Sequence, residues 1–217
     1  MPYPILYSLR HCPYAMRARM ALLLAKQAVI LRAIVMDNKP EEMLAVSAKG
    51  TVPVLVFNQS TIIDESIEIM LWALHKNDPN NLLYSAQADT YKQMLSLINY
   101  NDNEFKTHLE EYKQAKRYHK TTIIHSRQQC EIFIQQLEQR LTRHDFFMGT
   151  TASLADYAIF PFIRQFAKVE RSWYIQAPYP RLQQWLIAQL QDPLFSKAMI
   201  QYPLWLDKHE TIIFAGE

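Results

Sequence analysis

The sequence predicts an α/β domain over residues 1–77, a linker over 78–84 and an all-α domain over 85–217. Three observations carry that division. Short strand-like runs alternate with helical patterns through the first 77 residues. Asp78-Pro79-Asn80-Asn81 then brings turn chemistry. Beyond it strand signals nearly vanish, and apolar residues recur at three- and four-residue spacing. With 217 residues and 49% hydrophobic content, the chain is long enough to bury a core in each domain.

Ile5-Leu6-Tyr7 reads as the first strand. Pro13 sits where proline is tolerated, at a helix's first position, and Ala18, Ala21, Leu22 and Ala25 give that helix an apolar face. Val29-Ile30-Leu31-Arg32-Ala33-Ile34-Val35 is the second strand, followed by a polar loop. Val54-Leu55-Val56-Phe57, Asn58-Gln59-Ser60 and Thr61-Ile62-Ile63 read as strand, turn and strand. Asp64-Glu65-Ser66 opens a helix that continues through Ile69, Met70 and Leu74. The order β-α-β, then β-β-α, is the thioredoxin-like arrangement. In the all-α domain a long helix is expected over 86–112, carrying Tyr91, Met94, Leu95, Ile98, Phe105, Leu109 and Tyr112, and another over 122–141. A third begins at Ser153-Leu154-Ala155-Asp156, whose serine and aspartate satisfy each other's orphan backbone donors as a capping-box variant. Tyr179-Pro180-Arg181 opens a fourth.

Composition excludes several functions. The formal charge of +2, from 23 basic and 21 acidic side chains, creates no strong field for nucleic acid or an anionic membrane. The basic cluster Lys113, Lys116, Arg117 and Lys120 reads as a solvated helix end. Three scattered glycines, Gly50, Gly149 and Gly216, cannot build a phosphate-cradling loop, so Rossmann, P-loop and kinase chemistry are excluded. Seven histidines show no ligand spacing, and no metal is expected. Two cysteines without a C-x-x-C pair fit a reducing compartment. With no signal-peptide pattern and no membrane-length apolar run, the expected location is the cytoplasm.

Chemistry centres on Arg10-His11-Cys12-Pro13-Tyr14-Ala15. A cysteine at a helix N-terminus points its sulfur at unpaired N–H groups and the positive end of the macrodipole, which favours the thiolate. Arg10, His11, Arg17 and Arg19 add positive potential, so a depressed Cys12 pKa is expected. Ala15 stands where a dithiol oxidoreductase keeps its resolving cysteine, so a mixed disulfide on Cys12 must be resolved by an external thiolate, for which glutathione is the cytosolic candidate. Cys130 belongs to the stripe Cys130, Phe133, Leu137, Leu141, and core packing explains it.

Four motifs in order carry a family resemblance: Leu6-Tyr7-Ser8-Leu9-Arg10-His11-Cys12-Pro13-Tyr14-Ala15, Asn38-Lys39-Pro40-Glu41, Thr51-Val52-Pro53-Val54-Leu55 and Asp64-Glu65-Ser66. Together they resemble a glutathione S-transferase, and among its classes the omega-like, cysteine-type enzymes. The resemblance implies a thioredoxin-like glutathione-binding domain with a helical C-terminal domain, and a homodimer. It implies that Cys12 is the catalytic thiol and that Pro53 is a cis-proline leaving the Val52 N–H and C=O free to pair with the cysteinyl segment of glutathione. Glu65 would meet the γ-glutamyl ammonium, Ser66 its carboxylate, and Lys39 the glycyl carboxylate. Taken singly, Pro53 also fits a turn, Asp64-Glu65-Ser66 a helix cap, and Lys39 a solvated loop charge.

Other classes of the family use a tyrosine or serine hydroxyl near the first strand's end, and Tyr7 and Ser8 are both there. In the cysteine-type pattern the tyrosine is a packing residue. A small electrophilic or disulfide substrate is expected over Cys12 and against the long helix near Tyr100, Asn101 and Phe105, with Trp173, Tyr174, Tyr202 and Trp205 as further candidates. The expected activity is thiol transfer, dehydroascorbate reduction or removal of glutathione from adducts. The alternative is a non-catalytic protein of the same fold acting as a protein-binding or regulatory module.

Overall fold

The structure is a computed structural model describing residues 3–58 and 60–215; Gln59, placed in the expected turn, and Gly216 lie outside them. The chain forms two compact units. The first joins Met1–Asn80 to Asp192–Glu217, and the second is Asn81–Gln191.

In the first unit, β1 (Ile5–Ser8), β2 (Val29–Ala33), β3 (Val54–Val56), β4 (Ile62–Ile63) and β5 (Ile212–Phe214) form one sheet in the order β4-β3-β1-β2-β5. β1 and β2 run parallel, with Leu6 opposite Leu31, and the other pairings are antiparallel. A parallel pair needs a crossover, and α1 (Pro13–Leu24) supplies it. α1 is buried on every side from Ala15 to Leu22, not on one face alone. The reason is its small side chains: Ala15, Ala18 and Ala21 are fully buried and let α3 (Ser66–Lys76) and α10 (Pro193–Ala198) approach closely. Two arginines of the helix, Arg17 and Arg19, are buried with it.

Three features of this unit differ from the sequence expectation. The polar loop after β2 contains a short helix, α2 (Glu41–Val46), with Glu41 and Glu42 in its first turn where they suit the helix dipole. The expected second strand stops at Ala33. The segment 192–217, assigned from sequence to the all-helical domain, packs with the first unit and adds β5 to the sheet, where Ile30 pairs with Ile213. That strand is three residues long, and its pairing partner lies near the other end of the chain, so no local pattern announces it.

The second unit is helical. The long helix continues past its expected end as α4 (Ala88–Tyr100), a π-helical turn (Asn101–Phe105) and α5 (Lys106–Arg117). α6 (Ile123–Leu141), α7 (Leu154–Val169), α8 (Arg171–Gln176) and α9 (Pro180–Gln191) complete it; a last short helix, α11 (Trp205–Lys208), belongs to the first unit. The core is aromatic, with Phe105 packed on Phe133 and Phe166, and Tyr112 on Phe166. Ser153 and Asp156 close a reciprocal capping box on α7, as expected. Asp156 is fully buried and also accepts from the Phe147 N–H at 3.1 Å and Trp185 Nε1 at 3.1 Å. Cys130 is fully buried. In the basic cluster, Lys113 pairs with Glu110 and Lys116 with Glu170. Among the described residues, no helix is long and apolar enough to cross a membrane.

Candidate active site

β1 ends in the Leu9-Arg10-His11 turn, and the Cys12 N–H donates to the Leu9 carbonyl at 3.2 Å, which hands the chain to α1 with Cys12 as N-cap and Pro13 as first residue. The Cys12 backbone is extended and its sulfur closes no capping hydrogen bond on the helix. The thiol donates to the Val52 carbonyl, with sulfur and oxygen 3.6 Å apart. Leu9 and Cys12 pack against Tyr7, Ile34, Met43, Val52 and Val54.

This packing reverses the expected ionisation. Burial pushes the Cys12 thiol above its ordinary pKa. The N–H groups of Ala15 and Tyr14 and the charge of Arg17 pull it down, and burial outweighs them. The helix terminus acts as predicted; desolvation against Val52 and its neighbours could not be read locally. Of the four expected basic neighbours, Arg17 is the one whose charge acts on the sulfur. Arg19 turns away, donating to Ser8 Oγ at 2.8 Å and to the Ala198 carbonyl at 3.1 Å.

Of the other expected residues of the first unit, Val52 contacts the Cys12 sulfur and Ser66 meets Arg17 of its helix. The Val52-Pro53 peptide is cis, and β3 follows it. Ser66 is the first residue of α3, buried, with Oγ 3.5 Å from Arg17 Nη1, so one guanidinium connects Ser66 to the Cys12 helix. Glu65 is the N-cap of α3, yet its exposed carboxylate pairs with Lys49 Nζ instead of capping the helix. Asp64 does not cap either; its carboxylate accepts from Ser47 Oγ at 3.1 Å and pairs with Lys49 at 3.4 Å. Lys39 brings its ammonium over Gly50, where an added Cβ would stand 3.4 Å from Nζ. Gly50 has φ +57, so a side chain there would be strained as well as crowded. Lys49 was not foreseen, since its partnership with Glu65 spans the whole of β3 and β4.

Tyr7 and Ser8 are committed elsewhere. Tyr7 is buried, and its hydroxyl accepts from Arg32 Nη1 at 2.6 Å. Arg32 also pairs with Glu42 at 3.1 Å and stacks on Trp205, 3.9 Å from the ring centroid. Ser8 is fully buried against Arg19. Among the expected substrate-lining residues, Asn101 and Phe105 are buried in the second unit, Trp173 packs edge-on against Phe166, and Trp205 donates to Glu42 Oε1 at 2.6 Å.

Residues 6–81 match the family described as glutathione S-transferase, N-terminal domain, and residues 125–188 the family described as glutathione S-transferase, C-terminal domain. The chain is 28% identical over 201 residues to glutathione S-transferase omega-1 of Mus musculus, covering 89% of this chain and 79% of that protein. It is 26% identical over 197 residues to the omega-1 protein of Sus scrofa, covering 90% and 80%. Among solved structures it resembles a glutathione S-transferase-I bound with lactoylglutathione, with a TM-score of 0.75 and 20% identity over 91% of this chain and 98% of that one. A glutathione transferase family member from Pseudomonas fluorescens with two glutathiones bound matches with a TM-score of 0.78 and 15% identity, covering 91% and 92%.

Proposed function

The chain belongs to the glutathione S-transferase superfamily, as an omega-like member, and from that premise we propose that it is a glutathione-dependent thiol transferase with Cys12 as its nucleophile. The carrying observation is the 3.6 Å contact between the Cys12 sulfur and the Val52 carbonyl. It sets the thiol beside the backbone that would pair with the cysteinyl part of glutathione. Glutathione-type ligands in solved structures of the same fold support the choice of cosubstrate. In this reading Lys39 takes the glycyl carboxylate, Val52 and the cis Pro53 the cysteinyl segment, and Glu65 and Ser66 the γ-glutamyl end. Lys49 holds the Glu65 carboxylate in place until the ligand's ammonium takes it.

Cys12 gives its proton to solvent and attacks the glutathionyl sulfur of a mixed disulfide. The S–S bond breaks, and the other thiolate leaves and is protonated. The thiolate of a second glutathione attacks the Cys12-bound sulfur, releasing oxidised glutathione and restoring Cys12. Arg17 and the Tyr14 and Ala15 N–H groups favour the thiolate at both steps. The buried Ala15 offers no second thiol, so the route runs through external glutathione. Cytosolic operation as a homodimer belongs to the same proposal.

The test is glutathione-dependent disulfide reduction by Cys12→Ser and Cys12→Ala. Activity falling to background is expected, and full activity in either variant overturns the assignment. Retention on immobilised glutathione without turnover in the unmodified protein points instead to a non-catalytic binding module.

A further inference from the structure

The first unit contains a cavity of about 490 Å³ lined by none of the residues assigned above to glutathione. Its walls are the Leu9-Arg10-His11 turn that leads into Cys12, the end of β2 and the C-terminal stretch from Gln201 to Lys208. The lining combines an apolar floor with excess positive charge. Leu9, Ile34, Pro203 and Leu204 supply the apolar portion. Lys208 and Asp207 offset each other, which leaves Arg10 and Arg19.

Arg19 is the decisive group. It is only 1% exposed, and its guanidinium donates to neutral oxygens, Ser8 Oγ and the Ala198 carbonyl. A buried cation with no carboxylate partner among the described residues is expensive, and a second guanidinium nearby raises the cost. Both effects are felt: burial brings Arg19 down to about 10, with Tyr202 opposing the fall and Arg10 adding to it, and Arg19 stays cationic at neutral pH. An anion in the cavity would relieve both charges, in surroundings where water screens them little.

We propose that this cavity binds a compact organic anion, a carboxylate or sulfonate on an apolar body, as the portion of the substrate other than glutathione. Calling the occupant a substrate rests on the reading of Cys12; its binding does not. The anionic group meets Arg10 and Arg19, and the apolar body lies on Leu9, Ile34 and Pro203. Tyr202, one of the aromatic residues singled out in the sequence, lines the same cavity.

Calorimetric titration of the 217-residue chain with 4-phenylbutyrate and with 4-phenylbutan-1-ol compares the same body with and without the charge. Charge-assisted hydrogen bonding predicts that the acid binds about tenfold tighter or better, with the preference shrinking as salt is raised. Arg10→Gln should cut the preference for the acid by about threefold or more, with Arg19 supplying what remains. Arg10 is chosen because substituting Arg19 empties a buried site and risks misfolding. Equal affinities in the unmodified protein overturn the proposal, as does a preference undiminished by Arg10→Gln with the circular dichroism spectrum unchanged. A kinetic arm uses the mixed disulfides of glutathione with mercaptoethanesulfonate and with mercaptoethanol, the sulfonate being preferred if the cavity serves the reaction. Turnover of both disulfides at equal efficiency removes the substrate role while Cys12 stands. Turnover of neither removes the Cys12 reading, and the calorimetry still decides the cavity.

Discussion

Asp156→Ala removes the acceptor at the centre of the second unit. One side chain satisfies four donors: the Ser153 N–H at 2.9 Å, Ser153 Oγ at 2.7 Å, the Phe147 N–H at 3.1 Å and Trp185 Nε1 at 3.1 Å. The serine hydroxyl can rotate to another partner, but the three N–H groups are fixed. Each buried donor left unpaired costs about 1–3 kcal/mol. Against that stands the carboxylate's own burial, which pushes its pKa up while the four hydrogen bonds pull it back. A net loss of about 4 kcal/mol follows once that burial cost is returned, a large share of the roughly 5–15 kcal/mol that holds a typical protein folded. At about 2–4 °C per kcal/mol for a chain of this size, the melting temperature should fall by about 8–16 °C. Asp156→Asn separates the two halves of the network. Its Oδ1 keeps Phe147 and Trp185, while its amide donor faces the Ser153 N–H, so about half the loss is expected. Thermal and urea unfolding, with Trp185 as one fluorescent reporter, measure both variants. A loss below about 1 kcal/mol for Asp156→Ala would overturn this account of the network.

Three further measurements test the site and the two cysteines. Tyr7→Phe should leave glutathione-dependent turnover within about twofold and cost about 1 kcal/mol of stability for the lost Arg32 hydrogen bond; a collapse in turnover would show that the hydroxyl serves the reaction. Burial raises the folded pKa of Cys12 above its ordinary value. Its alkylation by iodoacetamide in the free protein should therefore inflect at a higher pH than that of a free thiol such as N-acetylcysteine, and an inflection below the free thiol's would contradict it. By the same linkage, the stability Cys12 contributes is fully present below the unfolded pKa and is lost as pH climbs through the folded one. Cys130, which burial pushes up to about 12, should be labelled only on unfolding, as mass spectrometry of the two peptides would show.

Local signals were legible wherever the physics is local. Pro13 after Cys12 marks the start of α1 because proline's fixed φ and missing N–H suit a helix's first position, and Ser153 with Asp156 marks the start of α7 because that N-cap is satisfied within three residues. The periodic run from Met94 to Tyr112 gave the long helix, although the π turn at Asn101–Phe105 leaves no mark in that spacing. The order of strands and helices was enough for the thioredoxin-like half and, with its motifs, for the family.

Contacts between distant segments create what no local pattern carries. The pairing of Lys49 with Glu65 and of β5 with β2, and the Arg10 and Arg19 cavity closed by Gln201–Lys208, join residues that no window spans. Cys12 shows the division within one atom. Its neighbours in the chain suffice to set this sulfur at a helix N-terminus, where dipole and arginine favour the thiolate. The balance of ionisation comes from the fold, because desolvation depends on what is packed around the sulfur, and Val52 with the buried cluster it belongs to is brought there by the folded chain.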